Sequence, residues 1–403
     1  MTHWQQQLIK FVPPKWCLEA GVCGAVPDYR LPLRALFEQD LDASSVVRPT
    51  PIHEWRVSAP LAKGDARFLI KRDDLSSREL FVAGNKIRKL EFFFADAIRS
   101  RADAIISIGA VQSNHVRACA AVCRRLGIPF FGLLRGALDR SLPVGGNVAC
   151  DALAGAHLCN ITTSRFATQG PEEALRSYQA HVLATTAYQR PYIIPLGGST
   201  PMGTWGYILA VQEVLDQYGT HRVPFDNIVC STGSGMFHGH FLLFSLFIYC
   251  CCMFRFQGGT LSGLAIGAKA AGLVSESTGK PVQVHGVAVC DTARIFEGHV
   301  RKEVATLWPA FDGEISELAR VHDQYRGLGY GKNTPEEMGT MLHIAQSTGV
   351  LLDPCYTLKG AIGMLDMFDA GRTLFVHTGG FLGLFNTRSL DVLNQVIVQP
   401  QTF

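Results

Sequence analysis

The chain has 403 residues, 47% of them hydrophobic and 18% charged, with 40 glycines and a formal net charge of +3. At about 150 residues per domain this length allows two or three domains, and so much apolar residue with so little charge excludes a disordered chain. The near-neutral balance, with no long basic block, argues against binding to nucleic acid or to a membrane surface.

Outside the run Cys250-Cys251-Cys252, the 12 cysteines form no CxxC pair, so zinc-ribbon and thioredoxin-like readings fail and no metal is expected. Thiols in Val-Cys and Ala-Cys settings read as small buried hydrophobes in a reducing compartment. The N-terminus lacks an uninterrupted apolar stretch, and it is too poor in Arg and Ser for a clear transit peptide. The cytoplasm or the mitochondrial matrix is therefore expected.

In chain order, short apolar runs bounded by Gly, Pro or polar residues predict strands at Phe68–Lys71, Ile105–Ile108, Phe130–Leu134, Tyr192–Pro195, Ile228–Cys230, Val282–Val289 and Leu374–His377. Helical stretches lie between them, among them Asn85–Arg99, Asn114–Leu126, Thr204–Gln217, Gly263–Gly272 and Pro335–Gln346. This alternation predicts an α/β fold with mostly parallel sheets, whose ligands bind in the loops after the strands.

Three such loops carry candidate chemistry. After the first strand, Gly84-Asn85-Lys86 opens an amphipathic helix with Asn85 as its expected N-cap. The positive potential of a helix start and partial burial both disfavour the ammonium form of Lys86, making it a candidate Schiff-base amine; a solvated basic face is the plainer alternative. After the second strand, Gln112-Ser113-Asn114-His115 opens a helix and could cradle a carboxylate or phosphate, or simply cap it. After Ile228–Cys230, the run Ser231-Thr232-Gly233-Ser234-Gly235 could present several donors to a phosphate. It is neither a P-loop nor a dinucleotide fingerprint.

An imine-forming lysine, a carboxylate loop and a phosphate loop together point to pyridoxal phosphate. From about Arg48 to Phe385 the chain resembles the D-cysteine desulfhydrase and 1-aminocyclopropane-1-carboxylate (ACC) deaminase family. The resemblance is carried by PTPIHEW, IKRDD, GNKIRKLE, GAVQSNH, GGNV…LAGA, YIIPLGGST, GLGYG, LLDPCYT and FVHTGG, in the family's order. It implies two open, mostly parallel sheet domains of the tryptophan synthase β-like fold: a large one from 1–88 plus 196–403 and a small one from 89–195, with the cofactor between them. It also implies an amino-acid substrate and a homodimer.

Carried over by position, Lys86 matches the lysine that holds the cofactor. Ser113 matches a serine near the substrate, Asn114 a cofactor contact, and Ser113–His115 the cradle for the substrate carboxylate. Tyr330 and Tyr356 match two active-site tyrosines, and Ser231–Gly235 with Gly259 and Thr260 the phosphate loop. In members that open the cyclopropane ring, Glu follows the DPxY tyrosine and the HxGG motif carries Leu; here the residues are Thr357 and Thr378, as in the desulfhydrases. The expected reaction is therefore β-elimination of D-cysteine, with ACC deamination as the alternative. Ala83 and Leu358 are small departures from the family's pattern.

A larger departure is Met236–Gly258, 23 residues that hold 3 of the 12 cysteines and 6 of the 24 phenylalanines. Removing it joins Gly235 to Gly259 and restores the family's TGSGGT motif. Its 14 apolar-rich residues Phe241–Phe254 are short of the roughly 20 needed for a membrane span. A genuine apolar insertion and a translated retained intron, or gene-model error, are the other readings. On sequence grounds the segment splits the phosphate loop, so poor cofactor binding and a catalytically impaired chain are expected.

Overall fold

The computed structural model describes residues 2–38, 49–58, 61, 66–136, 145–233, 258–368 and 370–397. Two parallel-rich sheets organise it. The larger has six strands in the order Ala319–His322, Gln283–Ala288, Asn227–Thr232, Thr373–His377, Ala66–Arg72 and Ile52–Val57. All neighbours in it run parallel except the last pair, an antiparallel edge. The smaller has four parallel strands in the order His157–Ile161, Phe130–Arg135, Ala104–Ala110 and Pro191–Ile194.

All seven predicted strands are present within a few residues. Within these two sheets the three strands that the sequence did not announce, Ile52–Val57, His157–Ile161 and Ala319–His322, are all edges; the two-residue strands of two small separate sheets were not announced either. An interior strand covered on both faces is a continuous apolar run, whereas an edge strand is partly solvated: Ile52–Val57 buries only Trp55 and Val57. Its apolar signal is correspondingly broken.

Five helices position the site. They are α1 (Lys86–Arg99), α2 (Asn114–Leu126), α3 (Gly146–Leu153), α4 (Pro201–Tyr218) and α5 (Gly259–Ala270). Helix α5 begins four residues before the expected Gly263, which brings its N-terminus up to the end of strand Asn227–Thr232. Helix α1 is buried along most of its length and packs against α4.

Beneath α1 lies a buried charge cluster. Arg88 donates to Asp73 at 2.7 Å and to Glu213 at 2.7 and 2.8 Å. Glu213 also accepts from Lys71 at 3.0 Å and from Arg34 at 2.7 Å, while Tyr207 donates to Asp73 at 2.7 Å. Burial alone would raise the Glu213 pKa, but Arg88, Arg34 and Lys71 hold it well below the usual range. Every charge in this cluster has a partner, which is what makes its burial tolerable.

Candidate active site

One pocket gathers the ends of the larger sheet's strands and the starts of the helices. It is lined by Asn85, Lys86 and Lys89 of the α1 region, by Asn114, and by Ser199. The remaining walls come from Ser231–Gly233, Gly258–Thr260, Tyr356 and Thr378–Gly379. Seven segments spread along the sequence thus meet where an α/β sheet is expected to bind its ligand.

Lys86 is the first residue of α1, and its Nζ donates to the Gly197 carbonyl at 3.4 Å. Burial lowers its pKa to about 8, so roughly a tenth of the amine is free at neutrality, far more than for an ordinary lysine. Asn85 precedes it as expected but does not cap the helix with its side chain. Its Nδ2 instead donates to Thr260 Oγ1 at 3.3 Å, tying α1 to α5 across the pocket. Gly84 at φ +122° admits this geometry, since a Cβ there would stand 3.1 Å from the Thr378 carbonyl oxygen.

Lys89, one turn on, also faces the pocket, and its Nζ donates to Ser199 Oγ at 3.2 Å. Sequence reasoning assigned only Lys86 to the site; the i, i+3 spacing of the two lysines was the available signal. Burial, then the neighbouring Lys86, lowers the Lys89 pKa. Arg88 points the other way, into the charge cluster.

The residues present fit a phosphate-bearing aldehyde. Helix α5 starts at Gly259 behind Gly258, whose φ is 80°, with no side-chain cap and no acidic residue in its first turn. Its first N–H groups are therefore open to an anion. A Cβ on Gly259 would come within 3.1 Å of Lys89 Nζ and 3.2 Å of Thr204 Oγ1, so only glycine leaves that space clear. Thr232 Oγ1 is buried beside it without a hydrogen-bond partner among the described residues. Ser231 lines the pocket but its hydroxyl donates to the Tyr356 carbonyl at 2.8 Å.

The expectation that the extra segment parts the two halves of the cradle bears on residues that lie mostly outside the described ones, but the described flanks of the segment meet. Gly233 and Gly258 line the same pocket, and a Cβ on Gly258 would lie 3.3 Å from Thr232 Oγ1. Ser234, Gly235 and residues 236–257 lie outside the described residues. Because positions 235 and 258 are both glycine, removing 235–257 yields the same sequence as removing 236–258.

Several expected site residues stand behind the wall. Ser113 caps α2, its Oγ accepting from Val116 N at 3.2 Å, and is pressed against Gly109. His115 is buried, with Nε2 3.0 Å from Ser107 Oγ. Burial, then Lys86 and Lys89, holds its pKa well below the ordinary value, so the ring is neutral. Thr357 is also buried, because its hydroxyl donates to Asp353 Oδ1 at 2.8 Å and accepts from Asp353 N at 2.7 Å. These three do not line the pocket, and the Thr357 hydroxyl is engaged by Asp353 on both its donor and its acceptor side. Thr378 does line it.

Tyr356 donates to the Tyr330 hydroxyl at 3.0 Å, with the rings edge to face at 5.6 Å. Burial raises both phenol pKa values well above the ordinary value, so both remain protonated and neither is a general base. Tyr330 reaches the site through Tyr356 rather than directly. No cluster of metal-ligating side chains occurs among the described residues, and no helix among them is long and apolar enough to cross a membrane.

With this geometry in place, comparison with known proteins is informative. The family of pyridoxal-phosphate dependent enzymes matches residues 43–243. The bifunctional D-cysteine desulfhydrase/1-aminocyclopropane-1-carboxylate deaminase, mitochondrial, of Arabidopsis thaliana is 33% identical over 350 residues, spanning 84% of this chain and 78% of that protein. The D-cysteine desulfhydrase of Serratia proteamaculans is 32% identical over 329 residues, spanning 78% of this chain and 87% of its own. A crystal structure of an ACC deaminase homologue superposes with a TM-score of 0.68 at 26% identity, covering 96% of this chain and all of the other.

Proposed function

This chain belongs to the family of pyridoxal-phosphate dependent enzymes, and from that premise we propose that it is a carbon–sulfur lyase converting D-cysteine and water to pyruvate, ammonia and hydrogen sulfide. The relatives named as D-cysteine desulfhydrases support this reading, and those named as ACC deaminases support the alternative. The observation that carries the choice is Thr378: it lines the pocket at the position where the motif of ring-opening members carries Leu. Purified protein supplied with pyridoxal phosphate should release sulfide from D-cysteine faster than from L-cysteine, and ammonia from ACC slowly or not at all. Faster turnover of ACC than of D-cysteine would reverse the assignment.

Lys86 would hold the cofactor through its amine. Lys89, the N-terminus of α5 and Thr232 would receive the phosphate. When bound, pyridoxal phosphate withdraws electrons from the substrate Cα and so acidifies its proton. Lys86, poised near pH 8 by burial, is the base placed to take that proton. Tyr356, kept protonated by burial, would turn its hydroxyl hydrogen from Tyr330 toward the departing sulfur to protonate it. Water then completes the products, the amine nitrogen leaving as ammonia and the three-carbon skeleton as pyruvate.

The two sheets support a division into a small domain of about 89–195 and a large domain from the rest. We further propose a homodimer in the cytoplasm or the mitochondrial matrix; one relative, the Arabidopsis protein, is named mitochondrial. The 236–258 segment is best read as a translated retained intron or gene-model error, since its removal restores the family motif without a gap. Transcript sequencing across Gly235 and Gly259 tests this, and a dominant transcript that reads continuously through His238–Gln257 would refute it.

A further inference from the structure

We infer that Asn147 is a positioning residue that fixes the side chain of Asn114 as a hydrogen-bond donor to the pocket; the inference rests on the pocket being the cofactor and substrate site. Asn114 lines that pocket, and which end of its amide faces inward is decided only by its partners. Those partners form a chain that starts from backbone groups, whose roles are unambiguous.

Asn147 is buried in the first turn of α3. Its backbone N–H donates to Gln112 Oε1 at 2.8 Å, and Gln112 Nε2 donates to the Gly145 carbonyl at 3.1 Å, which sets the Gln112 amide. Asn147 Nδ2 donates to the backbone carbonyl of Gln112 at 2.9 Å. A carbonyl can only accept, so the nitrogen end of Asn147 is fixed too. Its second N–H points at Asn114, 2.8 Å from Oδ1. Asn114 must offer its oxygen to that donor, and its Nδ2 is left over.

That Nδ2 sits against Gly380, where a Cβ would come within 2.5 Å of it, and it has no protein partner among the described residues. Gly146, at φ +61°, is part of the device: a Cβ there would stand 2.4 Å from Gln112 Oε1 and push the relay apart. Asn147 itself does not line the pocket, so it acts through Asn114. Whatever bound oxygen meets Asn114 must be an acceptor, on the cofactor or on the substrate.

The test is Asn147→Asp in the full chain. Its side chain has the same shape but offers acceptors, so it favours Asn114 turned end for end, with an oxygen toward the pocket. Pyridoxal phosphate binding to the apoprotein, followed by absorbance, should weaken about ten-fold if the acceptor is on the cofactor. If it is on the substrate, KM for D-cysteine should rise about ten-fold with cofactor affinity unchanged. Asn147→Ala, which removes the donor without adding an acceptor, should give about a three-fold effect of the same kind and covers a failure of the first variant to fold. In an Asn114→Ala background neither change at 147 should add more than about two-fold, as a double-mutant cycle requires of a residue acting through its neighbour. Wild-type behaviour of the Asp variant, or an undiminished loss in the Asn114→Ala background, overturns the inference. Wild-type protein that takes up no pyridoxal phosphate overturns the proposed function and this inference together.

Discussion

Lys86 and Lys89 face one pocket from successive turns of a single helix, and Lys86 is among the causes that lower the pKa of Lys89. Two amines held this close are best stabilised when one is neutral and the other faces an anion. That is the pairing a phosphate-bearing aldehyde demands.

Replacing Lys86 with Ala should abolish the visible absorption of bound pyridoxal phosphate and lower sulfide release by at least about 10³-fold. Absorbance of the purified protein and a sulfide assay check it. Lys89→Ala should keep the absorption band and weaken cofactor affinity, by about ten-fold for the loss of one charge-assisted contact.

The Lys86 pKa fixes a pH dependence. Its folded value, about 8, lies below the ordinary lysine value of 10.5, so the folded protein binds fewer protons than the unfolded chain between these two values. The contribution of Lys86 to apoprotein stability should therefore rise with pH from about 8 to 10.5, and Lys86→Met should remove that rise. The rate of pyridoxal phosphate uptake should likewise climb with pH and level off above about 8, because only the free amine reacts. Stopped-flow absorbance would show it; a rate that is flat from pH 6 to 9 would count against the assignment.

Tyr356→Phe deletes the hydroxyl that donates to Tyr330 while leaving the ring in place. D-cysteine turnover should fall by about 10–100-fold with cofactor affinity unchanged, the signature of a lost proton donor rather than a lost binding contact.

Removal of 235–257 should leave the affinity for pyridoxal phosphate within about three-fold of that of the chain as it stands, since the described ends of the loop already share one pocket. Titration of both forms with the cofactor decides this. A large gain on removal would restore the sequence expectation of a broken cradle.

Arg88→Ala should destabilise the protein by about 3–5 kcal/mol, because it leaves the Asp73 and Glu213 carboxylates buried with fewer counter-charges. Urea unfolding is the measurement.

The sequence was most legible where burial is complete. Interior strands such as Ile228–Cys230 are unbroken apolar runs, and Lys86 was visible because a helix start follows a strand there. The edge strand Ile52–Val57, half solvated, left no comparable run. Lys89 was hidden by the basic cluster around it, since a linear reading does not say which cation turns inward. Thr357 and His115 went the other way: their types and motifs suggested the site, but the Asp353 carboxylate and the Ser107 hydroxyl claim their polar atoms. The register of α5 was missed because glycines at 258 and 259 read as loop, although they open a helix against the pocket.

The charge cluster beneath α1 has a dynamic consequence. Arg88 is two residues from Lys86, so the helix that carries the reactive amine is riveted to the core by ion pairs that have no water to fall back on. Swinging that helix outward would strand Asp73 and Glu213 in an apolar interior, so it belongs to the slowest, most nearly global opening motions of the molecule. The reactive amine is thereby carried on the stationary side of the site.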